Sequence, residues 1–222
     1  MNVLFDLDGT LTDPFEGITR CVAHALVILG RAPPPRESLR WCIGPPLRGS
    51  FARLLSSDDI PLTEQAVRIY RERFAAVGLF ENEVYAGIPE TLAALQQMDH
   101  VLIVATSKPT VYAEQILAYF GLRQYFRSVY GSELDGARSD KSELVCHVLQ
   151  REFIRSSETV MVGDREHDMF GAAANAVRGI GVLWGYGTRD ELVTSGASVC
   201  AAQPDELVSA IEGARDSGAL CE

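Results

Sequence analysis

Near its start the chain reads Val3-Leu4-Phe5-Asp6-Leu7-Asp8-Gly9-Thr10-Leu11-Thr12-Asp13. The apolar run at residues 3–5 predicts a short strand buried on both faces, as strands of parallel sheets are. Asp6 and Asp8 would project from the same face of a regular strand, and two like charges so close are costly unless a cation or a bound proton compensates them. The stretch therefore predicts a site for a hard divalent cation such as Mg2+, with an ordinary strand-ending turn, in which Asp and Gly are common, as the alternative.

The composition limits the function classes. A content of 47% hydrophobic residues in a chain of 222 is that of a globular protein with one large or two modest domains. A net charge of −10 and a pI near 4.9 argue against nucleic-acid polymers as partners but allow a small anionic metabolite. The five cysteines are scattered and lack the spacing of a zinc site or a redox pair.

No apolar run is long enough to span a bilayer. We therefore expect a soluble cytoplasmic protein with reduced thiols and no membrane partner, as a monomer or a homodimer.

The pattern along the chain changes after the first strand. Residues 14–85 carry apolar residues at helical spacing, whereas from residue 86 onward strand and helix patterns alternate, with strands over 101–105, near Val129, and over 160–162, 179–183 and 197–201. Strands separated by helices imply parallel βαβ units. The sequence predicts an α/β fold with a Rossmann-like parallel sheet core, residues 1–13 and 86–222, interrupted by a helical insert, residues 14–85.

Chemically active residues follow several of the predicted strands. In an open parallel sheet the binding crevice lies beyond the carboxyl ends of the strands, so these residues should meet in space. Thr106-Ser107-Lys108 follows the strand at 101–105, and Asp164 and Asp168 follow the strand at 160–162. Lys141 opens a predicted helix, where it could reach a phosphate or simply be solvated. Acids and a hydroxyl at neighbouring strand ends are what metal-assisted phosphoryl transfer needs.

As a set, these residues resemble the four motifs of the haloacid dehalogenase superfamily in their expected order. The motifs are Asp6-Leu7-Asp8-Gly9-Thr10, then Thr106, then Lys141, then Gly163-Asp164-Arg165-Glu166-His167-Asp168. The resemblance covers essentially the whole chain, and the insert is similar to the smaller, helical-bundle cap domain of that superfamily.

The resemblance implies a mechanism for the two acidic residues of the first motif. Asp6 would be the nucleophile that forms an aspartyl-phosphate intermediate, and Asp8 the general acid for the leaving oxygen and then the base that activates water. The dehalogenases and phosphonate-cleaving members lack an Asp at the second place, so phosphate esters are the expected substrates.

The resemblance also implies the ligands of the metal and of the phosphoryl group. Mg2+ would be held by the Asp6 carboxylate, the Asp8 backbone carbonyl and the Asp164 carboxylate, with Asp168 in or next to the coordination shell. The phosphoryl group would be bound by Thr106, the Ser107 amide and Lys141.

Three stretches resemble a bacterial 5′-nucleotidase-like branch close to the phosphoglycolate phosphatases. They are Thr12-Asp13-Pro14-Phe15-Glu16-Gly17-Ile18, Ile43-Gly44-Pro45-Pro46-Leu47 and Ser132-Glu133-Leu134-Asp135-Gly136. The resemblance favours a nucleoside 5′-monophosphate over phosphoglycolate. A sugar-phosphate phosphatase or mutase is a further alternative, although the mutases usually carry a His shortly after the first motif. A non-catalytic binding protein of the same fold is the alternative from a different class.

Three residues of the insert are candidates for substrate contact. Arg48 could clamp a substrate anion or pair with a surface carboxylate. Trp41 and Phe51 could stack on a base or belong to the core of the insert. The sequence leaves both alternatives open.

Overall fold

The computed structural model describes residues 1–218, which divide into two compact units. The first unit consists of Met1–Thr12 and the chain from Val84 onward, and the second is Asp13–Glu83. The sequence-based division, at residues 13 and 86, falls beside these bounds. Residues 219–222 of the expected core, which include Cys221, lie outside the described residues.

The predicted parallel α/β sheet is confirmed. Six strands form one sheet in the order β5-β4-β1-β6-β7-β8, and every adjacent pair in it is parallel. Strands β2 and β3 form a separate two-stranded sheet. Within residues 1–218 the strands are β1 (Asn2–Phe5), β2 (Thr12–Asp13), β3 (Glu83–Val84), β4 (Val101–Pro109), β5 (Ser128–Ser132), β6 (Thr159–Gly163), β7 (Arg178–Val182) and β8 (Ala197–Ala201).

Helices follow the strands of the first unit and make up most of the second. The α-helices of the described residues are α1 (Phe15–Ile28), α2 (Leu47–Leu55), α3 (Ile60–Arg73), α4 (Ile88–Gln97), α5 (Thr110–Tyr119), α6 (Lys141–Glu152), α7 (Glu166–Ala174), α8 (Arg189–Thr194) and α9 (Glu206–Gly218). None of the helices in this part of the chain combines the length and the apolar character needed to cross a bilayer.

Strand β1 lies at the centre of the sheet. Its residues Val3, Leu4 and Phe5 are completely buried, and Leu4 lies beside Ile103 of β4 on one side and Met161 of β6 on the other. Continuous apolar burial of this kind is typical of a strand covered by helices on both faces. The carboxyl ends of β1, β4 and β6 therefore lie side by side at one edge of the sheet.

Helix α6 packs on this central region through Leu144, Val145 and Val148. Asp140 caps the helix, because its carboxylate accepts hydrogen bonds from the backbone N–H groups of Ser142 and Glu143. The cap makes Lys141 the first residue of α6.

Strand β4 is longer than the sequence predicts. The apolar run predicts a strand that ends at residue 105, but β4 continues to Pro109 with a register irregularity against β5. The hydroxyl of Ser132 donates to the carbonyl of Ser107 at 2.8 Å, so polar contacts continue the association with β5 after the apolar run has ended.

The second unit is largely helical, as the apolar spacing predicts, but less regular than a plain bundle. A 3-10 segment, Arg36–Cys42, precedes α2, and a π-helical turn, Phe74–Gly78, follows α3. Phe51 is completely buried and packs edge-on against Tyr70 at a centroid distance of 6.1 Å. Phe51 therefore belongs to the core of this unit.

Candidate active site

Three carboxylates meet at the carboxyl ends of the central strands. Asp6 continues β1, since its N–H donates to the carbonyl of Val162 at 2.9 Å, and Asp164 directly follows β6. With Asp168, at the start of α7, they place one oxygen each within 4.8 Å of one another. Asp6 is 6% exposed, Asp164 0% and Asp168 1%, so the negative charge is concentrated in a region nearly without water.

Lys141 provides a positive charge next to this cluster. Its Nζ lies 3.0 Å from Asp6 Oδ1, 2.7 Å from Asp168 Oδ1 and 3.0 Å from the carbonyl of Ala105. Burial by itself lowers the pKa of Lys141, but the neighbouring carboxylates of Asp168 and Asp6 outweigh burial and raise it. Lys141 is therefore a permanent cation that fixes the orientation of Asp6.

Asp8 has a lysine partner of its own. The Nζ of the buried Lys108 lies 2.7 Å from Asp8 Oδ2. Burial raises the pKa of Asp8, although Lys108 acts in the opposite direction. The sequence places Lys108 at the same strand end as Thr106 and Ser107 but assigns it no role, and its contact with Asp8 was not predicted.

The turn after β1 depends on Gly9. Its φ is +83°, a conformation that L side chains rarely adopt, and a Cβ there would lie under 3.0 Å from Asp164 Oδ2. The N–H of Gly9 donates to the carbonyl of Thr12 at 2.8 Å and closes the turn. The glycine thus permits close contact between the first turn and the end of β6.

The charge balance of the carboxylates fits a cation. Burial first, and then the charges of Asp168 and Asp6, raise the pKa of Asp164 well above its ordinary value. Burial raises the pKa of Asp168 to about 6, although Lys141 opposes this. Among the described residues, neither Oδ1 of Asp164 nor Oδ1 of Asp8 has a hydrogen-bond partner. Buried oxygen ligands with excess negative charge are the donor set that a hard divalent cation such as Mg2+ prefers.

Thr106 and Ser107 lie on β4 beside this cluster of strand ends. Thr106 is 1% exposed, and its hydroxyl accepts a hydrogen bond from the N–H of Lys108 at 3.3 Å. The hydroxyl of Ser107 donates to the carbonyl of Ser139 at 3.3 Å. These contacts fix the backbone around Ser107, whose amide is the expected phosphoryl ligand.

In the second unit, the candidate substrate residue Arg48 forms an exposed ion pair. Its Nε lies 2.5 Å from Glu64 Oε1, and this hydrogen bond lowers the pKa of Glu64. The guanidinium carbon of Arg53 lies over the ring of Trp41, 4.1 Å from the ring centroid. The described contacts of Arg48 are thus those of a surface pair, and its role toward a substrate stays a prediction.

Comparisons with known proteins find relatives that match most of the chain. The model of the haloacid dehalogenase-like hydrolase family matches residues 3–182. A 5′-nucleotidase of Pseudomonas aeruginosa is 50% identical over 191 residues, covering 86% of this chain and 86% of the relative. The tyrosine-protein kinase PtkA of Mycobacterium tuberculosis is 36% identical over 211 residues, 94% of this chain and 72% of PtkA. A phosphoglycolate phosphatase of Agrobacterium fabrum is 30% identical over 191 residues, 82% of this chain and 80% of the relative.

Solved structures show the same fold. The crystal structure of a protein described as a predicted phosphatase from Clostridium acetobutylicum superposes with a TM-score of 0.91 at 42% identity, covering 96% of this chain and 98% of that one. The likeness extends over both units of the chain.

Proposed function

The chain is an enzyme that belongs to the haloacid dehalogenase-like hydrolase family, and from this premise we propose that it is a Mg2+-dependent phosphomonoester hydrolase that works through an aspartyl-phosphate intermediate. The observation that carries the proposal is that each carboxylate of the first motif contacts a buried lysine, Asp6 with Lys141 and Asp8 with Lys108. Two neighbouring carboxylates with separate partners can take different roles in one reaction.

In the first step, a carboxylate oxygen of Asp6 attacks phosphorus and the ester P–O bond breaks. The leaving oxygen takes its proton from Asp8, whose raised pKa favours the protonated form that this step needs. Thr106, the Ser107 amide and Lys141 bind the oxygens of the phosphoryl group. Lys141 is already oriented for this by its contact with the carbonyl of Ala105.

In the second step, Asp8 acts as the base. It takes a proton from water as the water oxygen attacks the phosphorus of the aspartyl phosphate. The P–O bond to Asp6 then breaks, inorganic phosphate leaves, and the Asp6 carboxylate is restored. Asp8 ends the cycle protonated and ready for the next ester.

The Asp6 carboxylate, the Asp8 backbone carbonyl and the Asp164 carboxylate would hold Mg2+, with Asp168 in or next to the shell. When bound, Mg2+ supplies positive charge that lets the anionic nucleophile approach an anionic phosphate. Asp168 has a second task, because its Oδ1 contacts Lys141 at 2.7 Å and helps to keep that cation beside Asp6.

For the substrate, we propose a small phosphometabolite, with nucleoside 5′-monophosphates first. The 50% identity with a protein named 5′-nucleotidase supports this choice, and the 30% identity with a phosphoglycolate phosphatase makes phosphoglycolate the second candidate.

The substrate proposal is tested by phosphate release from a matched panel. The panel contains nucleoside 5′-monophosphates, 2-phosphoglycolate and sugar phosphates with Mg2+, and Asp6→Asn protein is the blank. We expect kcat/KM for the best nucleotide to exceed that for phosphoglycolate by about 10-fold or more. A preference for phosphoglycolate would contradict the nucleotide assignment and leave the chemistry in place. Release of alcohol and inorganic phosphate in equal amounts indicates hydrolysis. Less phosphate than alcohol indicates transfer to another acceptor, the kind of reaction given in the name of the mycobacterial relative.

The raised pKa values predict that Mg2+ stabilises the protein in a pH-dependent way. Asp168, with its pKa raised from 3.8 to about 6, and Asp164 keep protons in the metal-free folded state that the unfolded chain has already lost. Their contribution to stability is therefore full at low pH and is lost as pH rises through the folded pKa values. Mg2+ binding requires deprotonated ligands, so its stabilising effect grows as the pH rises through the same range.

We expect Mg2+ at roughly 100 times its Kd to raise Tm by about 5–10 °C near pH 7.5. Near pH 5 the shift should be much smaller, because the carboxylates are then largely protonated. Thermal unfolding with and without Mg2+, at constant ionic strength, measures both shifts. Asp164→Asn is the control that should lose them. Equal shifts at the two pH values, or an undiminished shift in Asp164→Asn, would contradict the proposed ligand set.

A further inference from the structure

We propose that the segment Trp184-Gly185-Tyr186-Gly187, the 184–187 loop, is a positioning element for the metal ligand Asp164, which it holds by one carboxylate oxygen so that the other faces the cation. This inference rests on the proposed function and extends it to a segment outside the four motifs. The loop follows β7, the strand next to β6 in the sheet.

The hydrogen bonding of Asp164 is divided between its two oxygens. Oδ2 accepts a hydrogen bond from the backbone N–H of Tyr186 at 2.8 Å. Oδ1 is buried and has no hydrogen-bond partner among the described residues. A carboxylate held in this way has one fixed orientation, and its remaining lone pairs are available to a cation.

The two glycines of the loop provide room for this contact. A Cβ on Gly185 would lie under 3.0 Å from the carbonyl of Gly9 and from the side chain of Asp164, and a Cβ on Gly187 would lie under 3.0 Å from the carbonyl of Asp164. Neither glycine has a φ in the left-handed region. A larger residue is therefore excluded by lack of space around Asp164 and not by backbone conformation.

The loop is also anchored to the first turn. The indole Nε1 of Trp184 donates to the carbonyl of Thr10 at 3.0 Å, and its ring packs edge-on against Tyr85 at a centroid distance of 6.5 Å. The loop thus ties the turn after β1 to Asp164, and both supply proposed metal ligands.

Beyond the loop, Glu191 of α8 makes a second anchor at the start of α7. Its Oε1 accepts from the Nε of Arg165 at 2.8 Å and from the N–H of Glu166 at 3.0 Å. The loop and the helix that follows it are therefore both tied to segments that carry proposed ligands, which supports the loop as a positioning element.

Gly185→Ala tests the inference, since it adds one methyl group against the side chain of Asp164 and the carbonyl of Gly9, at a φ that alanine can adopt. We expect the Mg2+ concentration for half-maximal thermal stabilisation, and that for half-maximal activity with a generic phosphate ester, to rise by about 10- to 100-fold. At saturating Mg2+ the activity should recover most of its wild-type value. Gly213→Ala, at an exposed position of α9 with open space around its Cβ, is the matched control and should keep wild-type Mg2+ dependence.

A purely structural role of the loop predicts a different result. Gly185→Ala would then lower Tm but leave both half-saturating Mg2+ concentrations unchanged, and this outcome would overturn the inference. If Gly185→Ala does not fold, Trp184→Phe decides, because it keeps an aromatic ring at this position and removes the indole N–H that anchors the loop to Thr10. Its Mg2+ half-saturation should rise toward the lower end of the same range, and an unchanged value would overturn the inference.

Failure of the proposed function is recognised separately. It would appear as wild-type protein that shows neither Mg2+-dependent stabilisation nor phosphate release, and it would remove the basis of the inference as well. A wild-type protein that responds to Mg2+ together with an unaffected Gly185→Ala rejects only the role of the loop.

Discussion

Asp6→Asn is expected to lower kcat for phosphomonoester hydrolysis by about 10^4-fold or more. Asn has nearly the same shape as Asp, but its amide is not a nucleophile toward phosphorus, so no aspartyl phosphate can form. The loss should be the same for every ester in a panel, because all of them pass through the same intermediate. Initial rates of phosphate release, with intact-mass detection of the phosphoenzyme in rapidly quenched wild-type reactions, make the measurement.

The substitution should leave the fold in place. Lys141 loses its ion pair with Asp6 but keeps Asp168 at 2.7 Å and the carbonyl of Ala105 at 3.0 Å. Asp6 also raises the pKa of Asp164 and of Asp168 through like-charge repulsion, and its removal relieves that repulsion. We therefore expect a Tm close to that of the wild type in the absence of Mg2+. Phosphate release at a substantial rate from well-folded Asp6→Asn, with its mass verified against deamidation, would place the nucleophile elsewhere.

The architecture of the sheet could be predicted from local patterns. The apolar run before Asp6 reflects the burial of β1 on both faces of the sheet. The alternation of strand and helix patterns after residue 86 reflects the helices that cover those faces. The length of β4 could not be predicted in this way, because residues 106–109 continue the strand through contacts with β5 that their own sequence does not show.

The proposed nucleophile and metal ligands could be found by sequence reasoning because parallel strands end at one edge of the sheet. That rule brings Asp6 and Asp164 together without any knowledge of side-chain contacts. The partnership of Asp8 with Lys108 was missed because it depends on how far β4 extends. The 184–187 loop was missed for a similar reason, since Trp-Gly-Tyr-Gly is typical of an ordinary turn and the closeness of its glycines to Asp164 is a tertiary feature.

Asp8→Asn is expected to lower kcat/KM for alkyl phosphate esters by about 10^2- to 10^4-fold, the usual contribution of a general acid or base. Unlike the loss in Asp6→Asn, this loss should depend on the leaving group. An alkoxide is a poor leaving group and needs the proton of Asp8, whereas p-nitrophenolate leaves without one. The first step with p-nitrophenyl phosphate should therefore stay fast in Asp8→Asn.

The second step needs Asp8 with every ester, because the attacking water must lose a proton whichever alcohol has left. With p-nitrophenyl phosphate, Asp8→Asn should therefore release about one equivalent of nitrophenol per site in a burst, and turnover should then be slow while phosphoenzyme accumulates on Asp6. Stopped-flow absorbance and intact mass detect the two signals, and Asp6→Asn, which should show neither, is the matched control. Asn is close to Asp in size and Lys108 stays in place, so a structural collapse of the site is not expected. Equal loss for both classes of ester without a burst would show that Asp8 does not act as both acid and base.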